Sequence, residues 1–223
     1  MKNVRIDIPM ADTIIKCRVT LTDDDGTEKL KTVSVSNLLN MLDSSIEKKE
    51  TVEYVHIGNK LPNGYVDGCV AADDTYKVAI RVPGAQRPYN YMGMGCNKLF
   101  LMPFPETLFL FKVVEGVLRD SFCYAVTSDG FVARWPYANV YDSHSICWGS
   151  NVIPPTTFGT SHELAEFFLS SGFNTHLSTR NTKLDIDDIE GLIRYLTPME
   201  EFPEDILLKQ KKTVDEVVRG FLK

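Results

Sequence analysis

Several kinds of residue pattern are missing from this chain, and each absence narrows what the protein can be. No run of about 18 apolar residues occurs, so no membrane-spanning helix is expected. The opening MKNVRIDIPMAD lacks the apolar core of a secretory leader. The five cysteines (Cys17, Cys69, Cys96, Cys123 and Cys147) never fall in a Cys-x-x-Cys pair, which argues against a structural zinc site. Their odd number and wide spacing suit free thiols in a reducing, cytoplasmic compartment. Basic residues are outnumbered, 24 to 30, for a net charge of −6. A general electrostatic hold on nucleic acid is therefore not expected, since neutralising phosphates needs a basic face. Glycines occur between Val82 and Gly95, but neither phosphate-loop pattern is present there.

What is present reads as an ordinary globular chain. Its 223 residues are 43% hydrophobic and 24% charged, enough for one large core or two small domains. The first third alternates apolar and polar residues over Val4–Ile8, Thr13–Thr22 and Lys31–Val35, with Asp23–Gly26 as a turn. Leu38, Leu39, Leu42 and Ile46 then fall at helical spacing. Further strands are expected at Val52–Ile57, Tyr65–Ala71, Tyr76–Val82, Lys98–Met102, Thr107–Val114, Ser121–Val126 and Phe131–Trp135, with Val82–Gly95 as a loop between them. After residue 160 the period changes. Helices are expected from Ser161 to about Gly172, over Thr182–Leu196 and over Thr213–Leu222. Asp185, Asp187, Asp188 and Glu190 suit the start of a helix better than a metal cluster. Sheet first and helices after predicts α+β architecture. The expected division is a β-rich extension over residues 1–75, with one short helix, and a main domain over 76–223.

The stretch from Trp135 to Gly149 carries the chemical signal. Asn139 stands eight residues before Cys147, between a strand meander and the helices. Pro136–Tyr141, Cys147–Ser150, Val152-Ile153-Pro154, Phe167-Phe168 and Phe173–His176 follow in order. This arrangement resembles the active-site segment of ubiquitin-conjugating enzymes, in which a His-Pro-Asn element precedes the cysteine by the same interval. It is most similar to the bacterial branch of that fold, the protein B family of the PRTRC system of mobile elements, assigned to prokaryotic family D. The resemblance spans Leu99 to about Thr175, roughly a third of the chain. Tyr137 and Ala138 stand where the signature has His and Pro, and Gly149 stands where an acidic or small polar residue is common.

The resemblance implies a ubiquitin-conjugating-like fold and a thioester-forming transferase. Its partners would be a ubiquitin-like protein and an adenylating enzyme, and it would need no cofactor or metal. Cys147 is the expected nucleophile, or else a small residue packed beside Trp148. Asn139 is the expected oxyanion donor, or else a brace for its own loop. His144 and His176 are candidates for raising thiolate content or moving a proton, with a solvated loop histidine as the alternative for His144. Tyr137, Trp148 and Trp135 would form an aromatic wall for an extended tail, or else pack in the core. Two other functions remain open at this level: a non-catalytic binding module, and a cysteine hydrolase using Cys147 with His144 or His176.

Overall fold

The computed structural model describes residues 3–7, 16–22, 28–34, 61–71, 75–93, 96–175, 177, 180–186 and 188–223. The chain divides into two compact units, Met1–Glu53 and Tyr54–Lys223. In the first, β1 (Asn3–Asp7), β2 (Lys16–Thr22) and β3 (Glu28–Ser34) form an antiparallel sheet in that order. These are the three alternating runs of the sequence. The helix expected over residues 38–46 and the strand expected over 52–57 lie outside the described residues.

The second unit is built on a six-stranded antiparallel sheet. Its strands are β4 (Tyr65–Val70), β5 (Tyr76–Val82), β8 (Thr107–Val114), β9 (Val117–Val126), β10 (Phe131–Ala133) and β12 (Lys209–Thr213). β4 pairs with β5 from Tyr65 to Val70, so it belongs to this sheet. That pairing puts Tyr65–Val70 in the second unit, although the sequence reading groups them with the extension. β8 and β9 are joined by Glu115 and Gly116, both at positive φ (52° and 73°). This turn conformation matches the twist of an antiparallel pair, and Gly116 adopts it without steric cost.

The segment expected to be a loop is mostly strand. β6 (Ala85–Gly93) pairs with β7 (Cys96–Phe104) along its whole length, and β11 (Gly172–Phe173) adds to β6 in parallel. Pro88 disguised β6. A proline has no N–H for a ladder on both sides, but β11 reaches only Asn90 and Tyr91.

Three helices follow: α1 (His162–Ser170), α2 (Ile189–Leu196) and α3 (Val214–Leu222). Ser161 precedes α1, but its hydroxyl donates to the Phe158 carbonyl and caps nothing. α2 is shorter than expected. Asp188 accepts from the Gly191 N–H and caps it, while Thr182 bridges Leu207 and takes the chain before it out of helix. Leu184 and Ile186 still pack on the core, which explains their helical spacing. α3 begins as the sequence predicts. Thr213 accepts from the Glu216 N–H, and the Glu216 carboxylate accepts from the Thr213 N–H, a reciprocal box. None of the helices among the described residues is long and apolar enough to cross a membrane.

Side-chain alternation sorts the sheet into two faces. Leu108 and Leu110 of β8 meet Val214 and Val218 of α3 on one side. Phe109 and Phe111 face the larger core with Phe168 of α1 on the other. The β6–β7 ribbon closes that core with Tyr89, Tyr91, Met102 and Phe104. Phe104 lies within 4.9 Å of the Tyr137 ring and 6.0 Å of Trp135, and is wholly buried. Phe104→Ala should lower the stability of this unit by about 3–5 kcal/mol in urea unfolding. Thr213→Ala, which removes only a cap, should cost about 1 kcal/mol in the same measurement.

Candidate functional site

The chain leaves β10 and enters the core before it reaches the candidate loop. Trp135, Tyr137 and Ala138 have no exposed surface, and Val140 has almost none. Burial of Tyr137 leaves its hydroxyl to donate to the Pro103 carbonyl. Burial also holds the phenol well above its ordinary pKa, with Tyr89 adding to the effect, so it acts as a neutral donor. Asn181 donates from Nδ2 to the Tyr137 carbonyl at 3.0 Å. Trp135 and Tyr137 are thus core residues and line no surface on which a tail could lie.

The loop from Asn139 to Cys147 is a small hairpin. Val140 bridges Ile146, the Tyr141 N–H donates to the Ser145 carbonyl (2.9 Å), and the His144 N–H donates to the Tyr141 carbonyl (2.8 Å). The Cys147 N–H closes it by donating to the Asn139 carbonyl at 2.8 Å. The eight-residue interval therefore has a physical meaning: it brings the two residues together across the hairpin neck. The returning arm also docks on β9, where the Cys123 N–H donates to the His144 carbonyl and the Ile146 N–H to Ser121.

Asn139 sits at φ 64°, a left-handed conformation that Asn tolerates better than most residues. Its side chain is nearly buried, and Nδ2 donates to the Gly172 carbonyl at 2.8 Å. In this state one amide hydrogen is committed to bracing the loop against β11. The thiol of Cys147 is half-buried. The Tyr141 hydroxyl donates to its Sγ at 3.5 Å. That hydrogen bond, followed by charge interaction with Cys147, raises the Tyr141 pKa, so the phenol keeps its proton. Trp148 turns inward. Its Nε1 donates to Ser121 Oγ at 2.9 Å, and its ring stacks on Phe167 at 6.0 Å.

His144 serves a different neighbourhood. Its ring stacks on Tyr124 at 4.3 Å and meets the Gln210 amide of β12. It lines a groove of about 540 Å³ with Tyr124, Gln210, Lys212 and Phe221, a groove that Cys147 does not line. A second cavity, of about 290 Å³, is walled by Phe104, Phe202 and four glutamates, and Cys147 does not line that one either. His176 and Asp187 lie outside the described residues. Among the described residues no group of three or more His, Cys, Asp or Glu is placed to hold a metal ion.

The structure thus brings Asn139 and Cys147 together, sends His144 to another pocket, and puts Tyr137 and Trp135 in the core. Tyr141, Ser121 and Gly172 were missed by the sequence reading. Their contacts depend on how the hairpin folds over β9 and β11, and no local spacing encodes that. No family model matches the chain, and no curated protein or solved structure matches it.

Asn139→Ala should cost about 2–3 kcal/mol, since it removes the bond to Gly172 and leaves a β-carbon at positive φ without a local polar partner. Asn139→Gly should cost about 1 kcal/mol less, because only the bond is lost. Thermal unfolding of the two variants side by side reads the difference.

Proposed function

We propose that the Cys147 loop carries the C-terminal carboxyl of a ubiquitin-like protein as a thioester. In this reading the fold is a member of the ubiquitin-conjugating class, working in the cytoplasm after an adenylating enzyme. The Cys147 thiolate attacks the carbonyl carbon of the incoming thioester, and the donor's thiolate leaves. An acceptor amine later attacks the same carbon, loses a proton, and releases Cys147 as thiolate. No metal or cofactor enters these steps.

The observation that carries this reading is the closed hairpin neck, in which the Asn139 carbonyl accepts from the Cys147 N–H. It holds a half-buried thiol next to an asparagine on a surface loop. The thiol lies outside the two grooves described above, a placement suited to a macromolecular tail more than to an enclosed small molecule. The contacts of His144 with Tyr124 and Gln210 disfavour a hydrolase that would use it as the base for Cys147.

A second reading, a binding module without transfer, draws on the commitment of the Asn139 amide to Gly172. An oxyanion donor has to face the reacting carbonyl. Under the transferase reading, Asn139 would use its second amide hydrogen or exchange partners during the reaction.

The test is co-expression of the full chain with its native gene neighbours, followed by a non-reducing gel and intact mass. Wild type should form a thiol-sensitive adduct of ubiquitin-like mass, and Cys147→Ala should lose it. An adduct that persists in the variant, or none in wild type with the neighbours expressed, would overturn the transferase. Retention of a ubiquitin-like partner by both proteins in a pull-down would then favour the binding module.

A further inference from the structure

His144 is joined to three parts of the fold at once. Its backbone lies at φ 68°, in the left-handed region, where it closes the turn of the Cys147 hairpin. Its carbonyl accepts from the Cys123 N–H of β9 at 2.9 Å. Its ring lies nearly parallel to Tyr124 of β9, at an interplanar angle of 25°, with Nε2 against the Gln210 amide of β12. Nδ1 is buried and has no hydrogen-bond partner among the described residues.

This setting accepts a neutral imidazole and resists a charged one. In the neutral ring Nε2 accepts from the Gln210 amide N–H, whereas a protonated ring carries an N–H there too and would set donor against donor. The charged groups around it do little to help. Arg134, following β10, and Lys212, on β12, both oppose a positive ring. Asp142 on the same hairpin favours it but is paired with Arg134. Glu216 of α3 lines the groove but is engaged by Thr213. Tyr124 is held neutral by its own burial, which raises its pKa.

We propose that His144 is the positioning residue of the Cys147 loop, pinning it to the sheet while the ring is neutral and releasing it when the ring takes up a proton. The pin does not depend on the thioester reading, because its readout is loop opening and not transfer.

The sign follows from linkage. Burial, then Arg134, lowers the His144 pKa in the pinned state, whereas a released histidine titrates at about 6.5. The released state therefore binds more protons, and the pin weakens as pH falls through about 6.5 and levels off below the lowered value.

Amide exchange on the full chain between pH 7.5 and 5 tests this. Protection factors should fall several-fold for the Cys123, Ile146 and Cys147 amides, which close the loop, and should stay level for Phe109 and Phe111 of β8. His144→Asn, which tolerates the left-handed backbone, should abolish the pH dependence. An unchanged dependence in that variant, or none in wild type, would overturn the proposal. Should His144→Asn fail to fold, Arg134→Gln decides. Losing the opposing charge and freeing Asp142 bring the pinned-state pKa closer to the released value, so the fall in protection between pH 7.5 and 5 should shrink, and a fall as large as that of wild type or larger would overturn the pin.

Discussion

Burial of Trp135 and Tyr137 is the constraint on which the candidate site depends. Two large rings two residues apart enter the core between the β6–β7 ribbon and α1, against Phe104, Tyr89 and Phe168. Tyr137 can be buried only because Pro103 accepts its hydroxyl. Trp135 Nε1 finds no partner among the described residues, so its ring contacts must offset an unmet donor worth about 1–3 kcal/mol. The chain must then turn back to the surface within a few residues. Asn139 makes that turn at positive φ, with its amide on Gly172, and the hairpin to Cys147 follows.

The chemistry open to the loop follows from how it is held. Backbone bonds to Asn139, Ser121 and Cys123 fix its neck and returning arm, so the position of the thiol is set by main chain. The side chain that reaches the thiol among the described residues is the Tyr141 phenol, and the His144 imidazole lies elsewhere. A neutral phenol can donate to a thiolate but is a poor base at neutral pH. The imidazole of the loop instead faces the α3 side of the sheet, where it stacks on Tyr124 and meets Gln210.

Much of the scaffold was legible because period reports burial. Tyr76–Val82 and Thr107–Val114 read as strands and are strands at those same limits. Thr213 reads as the start of a helix and caps one. β6 was hidden because Pro88 and Gly93 are breakers in isolation, and only the reach of β11 shows why they are tolerated. The stretch before α2 misled in the opposite direction. Leu184 and Ile186 continue the apolar period, yet they pack as irregular chain tied through Thr182 to Leu207.

The sequence by itself determined the α+β class, the succession from strands to helices and the interval that pairs Asn139 with Cys147, because these rest on local periodicity and on distance along the chain. The tertiary structure alone decided the rest of the site. Whether an aromatic beside the motif walls a surface or fills a core depends on what packs over it, and β6 and β7 pack over Tyr137. Whether the loop histidine reaches the thiol or the sheet depends on the hand of one turn, set by a residue at φ 68°. Both outcomes come from contacts between segments far apart in the chain, and no local pattern of residues carries them.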